Sequence, residues 1–254
     1  MKTAPLGRML GGQVRAEFLR LLRSPEFTGF TLAFPSILYF FIGATNQGVY
    51  GGVPAKHYTL AALAAYSVVN VALFSFGVAV ATDRMLHTDA LLKASPVRPA
   101  VVLAAKAIAA AVFAVGSLVV LFLVAGLLLG VRLQAAEYLQ LTWRLLLGML
   151  PFLALGFAVG YLVNPGAAVA LVNLIFLPMS FASGIFIPLQ FLPSYIRDVA
   201  PYLPMYHYGR VAWSAVGVRY SDLGQSVLWL AAWFLALAVL AIVAQRRDEL
   251  RRFA

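Results

Sequence analysis

Six apolar stretches set the terms on which this chain folds. They run over Phe27–Thr45, Tyr58–Thr82, Ala100–Gly130, Leu141–Val163, Ala167–Ile187 and Ser226–Ala244. Each is long enough to cross about 30 Å of hydrocarbon at about 1.5 Å per helical residue. In a bilayer core no water satisfies a backbone N–H or C=O, so only helices or closed barrels cross it. The ten-residue alternation of a membrane barrel strand is absent from the sequence, which leaves helices. Residues of the chain are 63% hydrophobic and 11% charged. A soluble domain is nearer half apolar and a quarter charged, and one aqueous core cannot hide this much apolar surface.

The first stretch follows a segment that carries Arg8, Arg15, Arg20 and Arg23. That is too long for the charged start of a signal peptide, and a small-residue cleavage site is missing, so a retained anchor is expected. Six crossings place alternate loops on opposite sides. Thirteen of the 19 Lys and Arg residues then fall with the two termini and the second loop, and six fall opposite. The positive-inside bias puts the thirteen in the cytoplasm with both termini. The net charge of +10 is thereby accounted for by membrane topology, and nucleic acid is not an expected partner.

Residues 1–26 read as a helix lying in the cytoplasmic interface. Leu10, Val14, Phe18 and Leu21 share one helical face, while Arg8, Arg15, Glu17 and Arg23 lie mostly elsewhere. The second loop, residues 83–99, reads "DRMLHTDALLKASPVRP". Thr82 or Asp83 suits a helix start, Arg84 to Ala94 suits a helix, and Ser95-Pro96 stops it. A plain connector needs fewer residues, so a docking surface for a cytoplasmic partner is the sharper expectation. Residues 188–225 are apolar, yet Pro188, Pro193, Pro201 and Pro204 chop them into pieces too short to span. Such pieces dip into a leaflet and turn back. Tyr195, Tyr202, Tyr206, Tyr208 and Trp213 supply an aromatic belt.

These two stretches resemble the ABC transporter type-2 permease family. Asp83, Arg84, Thr88, Leu91, Leu92, Ser95, Pro96 and Lys106 match its cytoplasmic loop, with His87 where glycine is common. Ser183, Gly184, Phe186, Pro188, Leu192, Pro193, Pro204 and Arg210 match its pattern after the fifth span. The resemblance implies an all-α membrane protein of one domain over residues 1–254. It implies six transmembrane helices, an N-terminal interfacial helix, a cytoplasmic coupling helix and re-entrant helices before the last span. The expected setting is the bacterial plasma membrane. It also implies two permease copies, or one copy and a related subunit, with two cytoplasmic ATPase subunits that hold ATP and Mg. Asp83, Arg84, Leu86, His87, Thr88, Leu91 and Leu92 would couple to the ATPase. Pro188, Pro193, Tyr195, Pro204 and Arg210 would shape the re-entrant cap.

Two helix faces mix small, amide and aromatic groups. Ser67, Asn70, Phe74 and Gly77 form one, and Asn173, Phe176, Ser180 and Ser183 the other. Polar groups at such depth face protein or a cavity. Both faces are candidates for a transport path, and the alternative is that Asn and Ser serve as helix–helix glue. Walls of this kind suit a lipid-like, glycolipid or amphiphilic drug cargo moving outward, or a charged polymer led by a lipid anchor.

Other classes find less support. The sequence carries no Gly-rich phosphate loop of the Walker type, so ATP would be bound on another chain and no cofactor is expected in this one. Cysteine is absent, and His57, His87 and His207 lack ligand spacing, so neither a thiolate site nor a metal site is expected. A stand-alone secondary transporter or channel would want ionisable groups deep in the spans, and an intramembrane enzyme would want them clustered at one depth.

Overall fold

The computed structural model describes residues 6–86 and 99–253. Helix α1 (Leu6–Leu22) leads through Ser24 into α2 (Pro25–Thr45), with proline in the first turn of α2, where a missing N–H costs nothing. A hairpin follows, β1 (Val49–Tyr50) and β2 (Val53–Pro54), pairing Val49 with Pro54 and Tyr50 with Val53 across Gly51-Gly52. Helix α3 runs over Ala55–Met85 and widens to a π turn at Phe74–Val78. Helix α4 is Pro99–Leu129. Then come α5 (Ala135–Gly148) and α6 (Leu150–Leu162), joined at Met149 with Pro151 in the first turn of α6. The start of α5 is fixed by a capping box, in which the Gln134 N–H donates to Glu137 Oε2 at 2.7 Å. Helix α7 is Ala168–Ala182, α8 is Ser194–Val199, α9 is Pro204–Ala215 and α10 is Leu223–Phe253.

Among the described residues four segments are long and apolar enough to cross a membrane: Ala55–Met85, Ala100–Leu129, Ala135–Leu162 and Leu223–Asp248. Two shorter apolar helices, Thr31–Thr45 and Ala168–Ala182, accompany them. The fifth predicted span, Ala167–Ile187, thus ends five residues early. The cause is Gly184, which sits at φ +82° and turns the chain before Leu189. Fifteen helical residues rise about 22 Å, less than the hydrocarbon thickness.

Helix α3 is the centre of the bundle, and most of its apolar window is buried inside the protein. Helices α4 and α10 lie outside it and expose most of theirs. Contact between α3 and α6 is close because Gly156 and Gly160 carry no side chain. A Cβ on Gly156 would meet Leu73 O and Phe76 Cβ at 3.1 Å, and one on Gly160 would meet Val80 Cβ at 2.8 Å. Small residues four apart let two membrane helices approach to backbone contact.

Candidate functional site

Two sets of charged side chains tie one end of the bundle together. In the first, Lys106 of α4 donates from Nζ to Glu17 Oε1 at 2.6 Å and to Asp83 Oδ2 at 2.9 Å. Arg20 of α1 pairs with the same two carboxylates, at 2.7 Å from Glu17 and 2.9 Å from Asp83. Helix α1, the last turn of α3 and the first turns of α4 are therefore joined by one alternating-charge cluster. Only 5% of the Lys106 side chain is exposed, so its charge rests on these carboxylates rather than on water.

In the second set, Arg84 reaches the other way. Its guanidinium pairs with Asp248 near the end of α10 and donates from Nη1 to Gly160 O at 2.7 Å and to Val163 O at 3.0 Å. Those carbonyls belong to the last turn of α6, where acceptors lack helical partners and the dipole favours a cation. The guanidinium also lies over the Tyr161 ring, 5.6 Å from its centroid. Neighbouring residues Asp83 and Arg84 thus hold α1, α4, α6 and α10 from one turn of α3. The helix continues through them to Met85, so neither Thr82 nor Asp83 starts a new helix there; the Thr82 hydroxyl donates back to Val78 O at 2.8 Å. Leu86 follows, exposed, as the C-cap. His87, Thr88, Leu91 and Leu92, together with the helix expected over them, lie outside the described residues.

The opposite end is closed by the proline-rich segment. Pro193 precedes α8, Pro204 opens α9, and a 3-10 turn at Ala200–Tyr202 links them. Pro188 leads into a turn at Leu189–Phe191, whose Phe191 meets Tyr50 of the hairpin edge-on at 6.1 Å. Arg210 is buried, paired with Asp222, and lies over the Tyr220 ring at 4.4 Å. His207 donates from Nε2 to Pro201 O at 2.7 Å, leaving Nδ1 to accept from the Ser226 hydroxyl at 3.3 Å, and stacks on Trp229 at 5.3 Å. The expected aromatic belt divides. Tyr195 and Tyr202 are exposed, as a belt requires. Tyr208 and Trp213 are buried instead, Tyr208 donating to Leu145 O at 2.8 Å and Trp213 stacking on Tyr58 at 4.6 Å.

The two path faces fall largely in the chain's own core. Ser67 is buried against Ser117 of α4 at 2.6 Å, and Ser117 in turn donates to Thr31 O. Phe176 is buried and stacks on Tyr66 at 4.7 Å, which brings α3 and α7 together. Ser180 is buried and donates to Phe176 O. Asn70 and Ser183 are buried too, with Asn70 Oδ1 and Ser183 Oγ unpartnered. Phe74, within the π turn, is half-buried. Asn173 keeps some exposure and donates from Nδ2 to Val169 O at 3.1 Å. The pairings of Glu17 with Lys106 and of Asp248 with Arg84 leave no mark in the sequence, since the partners lie 89 and 164 positions apart. The Gly156–Gly160 spacing, by contrast, is visible in "LGFAVGYL". Among the described residues, acidic and histidine side chains do not gather into a metal-binding group.

Comparison with known proteins bears on this geometry. A family model described as "ABC-2 type transporter" matches residues 13–216. The chain is also 26% identical over 242 residues to a Bacillus subtilis (strain 168) protein named "Putative transport permease YvfS", covering 95% of this chain and 98% of that one.

Proposed function

The chain belongs to the ABC-2 type transporter family, the membrane subunits of ABC transporters, and from that premise we propose that it forms the transmembrane part of an ATP-driven exporter whose ATPase is a separate chain. Six crossings are proposed, the four long ones plus α2 and α7, with the tied end in the cytoplasm of a bacterial plasma membrane. A second permease copy, or a related subunit, would complete the path. The cargo proposed is lipid-like, glycolipid or an amphiphilic drug, because the walls offered are apolar with few polar handles.

One observation carries this reading. Asp83 and Arg84 lie at the mouth of the segment expected to grip the ATPase; their ion pairs reach α1, α4 and α10, and hydrogen bonds from Arg84 reach the end of α6. A soluble engine that displaces residues 87–98 would pull on the last turn of α3. Through the two clusters that pull would reach α1, α4, α6 and α10 together. Binding free energy shifts a two-state membrane protein only through contacts that differ between its states, and a linked set of charges at one end supplies such contacts.

The test uses the chain's lack of cysteine, which makes a single introduced cysteine a specific handle. Cysteines placed at Thr88 or Leu91 should cross-link to a co-purified ATPase, and nucleotide should change the yield. Arg84→Ala should keep the complex but uncouple ATP hydrolysis from export. Purified protein that carries no ATPase, and exports without one, would refute the reading.

A further inference from the structure

A cleft of about 500 Å³ opens on the side of the bundle where α5, α6, α9 and α10 meet. Its walls include Trp143, Leu147, Val227, Ala231 and Phe234, and they are almost wholly apolar. One charge stands among them, Arg144. Its Nη1 donates to the Ser214 hydroxyl of α9 at 2.9 Å, and its guanidinium lies 5.7 Å from the Trp143 ring centroid. Among the described residues no carboxylate pairs with it. A guanidinium carries five N–H donors, so the serine leaves most of them unanswered. Ser214 is itself held in place, donating to Val211 O at 2.8 Å.

The geometry points to a binding site for an anionic phospholipid, its phosphodiester on Arg144 and an acyl chain along Leu147, Val227 and Phe234. Two features select this occupant. A planar guanidinium without a carboxylate partner suits a phosphate, which it can grip with two parallel hydrogen bonds. The cleft also continues into apolar surface, with Leu147 62% and Val227 55% exposed, so its open side faces hydrocarbon in a bilayer. A free phosphate would gain the cation but leave the apolar walls uncovered. The bound lipid would fasten α9 to α5 and α10. The site is independent of ATP-driven export and rests only on residence in a membrane.

The test is native mass spectrometry of the purified full chain in detergent, titrated with phosphatidylglycerol or with diacylglycerol, which has the same acyl chains and no phosphodiester. The wild type should bind phosphatidylglycerol about tenfold more tightly than diacylglycerol, the size of one charge-assisted hydrogen-bonded contact. Arg144→Gln should erase that preference and Arg144→Lys should keep most of it. Ala231→Phe, which fills the cleft without touching the charge, should weaken both lipids. Glycerol 3-phosphate should not compete at concentrations where the lipid saturates. Equal binding of the two lipids by the wild type, an unchanged preference in Arg144→Gln, or competition by glycerol 3-phosphate would each overturn the assignment. Far-ultraviolet dichroism and size-exclusion profiles separate loss of binding from loss of fold.

Discussion

Lys106 answers to two carboxylates and has almost no contact with water. Removing its charge leaves Glu17 and Asp83 close to each other without the cation that lay between them, both still beside Arg20. Breaking a buried pair from one side costs more than the pair contributes, because the remaining charge is stranded. Lys106→Met should therefore destabilise the folded protein by about 3 kcal/mol, read as a lower melting temperature in detergent. Adding Asp83→Asn should recover part of that loss, since one surplus negative charge is gone; a further drop would disprove the pairing. His207 makes a separate prediction at the capped end. Burial of the ring, with help from the nearby Arg210 charge, pulls its pKa below the ordinary 6.5, against the opposing pull of the Pro201 carbonyl and Asp222. The neutral ring is the one that folding favours. Its contribution is thus whole above pH 6.5 and is lost as pH falls through the lowered folded value. Melting temperature should decline below pH 6.5 in the wild type, and His207→Gln should flatten that limb of the profile.

The crossing of α3 and α6 is where helix packing and the charged cluster meet. Gly160 lies against Val80, and its carbonyl accepts from Arg84. A methyl there forces the helices apart by the width of a poor contact, which costs about 1–3 kcal/mol. Gly160→Ala should accordingly lower stability by that order and also disturb the Arg84 contact, so ATPase stimulation by the permease should fall more than folding alone explains. A variant that folds less well but couples normally would separate the two roles. Four long apolar helices and the proline-broken segment were legible from hydropathy and from proline's lost N–H, whereas the Gly-x-x-x-Gly spacing of Gly156 and Gly160 does not say which helix lies against it. What the sequence did not disclose were partnerships over distance. Neither composition nor spacing shows that Glu17 meets Lys106 or that Asp248 meets Arg84. For the same reason Ser67 and Phe176 read as path candidates: period alone places a residue on a face, and only the neighbouring helix says whether that face is covered.

At the scale of the molecule the two ends are built differently, and the side of the bundle decides what else it needs. The charged end is bound by ion pairs across four helix connections, and the proline-capped end by a buried histidine, a buried arginine and stacked aromatics. Between them, apolar surface on α4 and α10 suits lipid alone. Helix α7 differs, because Asn173 keeps exposure in the middle of an otherwise apolar face beside Leu174, which is 70% exposed. An amide in hydrocarbon is costly, and one that reaches the surface of a membrane bundle belongs against protein or a wet cavity. We therefore expect α7 to face the second permease subunit. In the cysteine-free background, Leu174→Cys should give a disulfide-linked permease dimer in membranes, while Val239→Cys on the exposed face of α10 should not. Asn173→Leu should leave each subunit folded but weaken that cross-link or slow export. Efficient cross-linking through α10, with none through α7, would place the path on another face of the bundle and leave Asn173 to lipid.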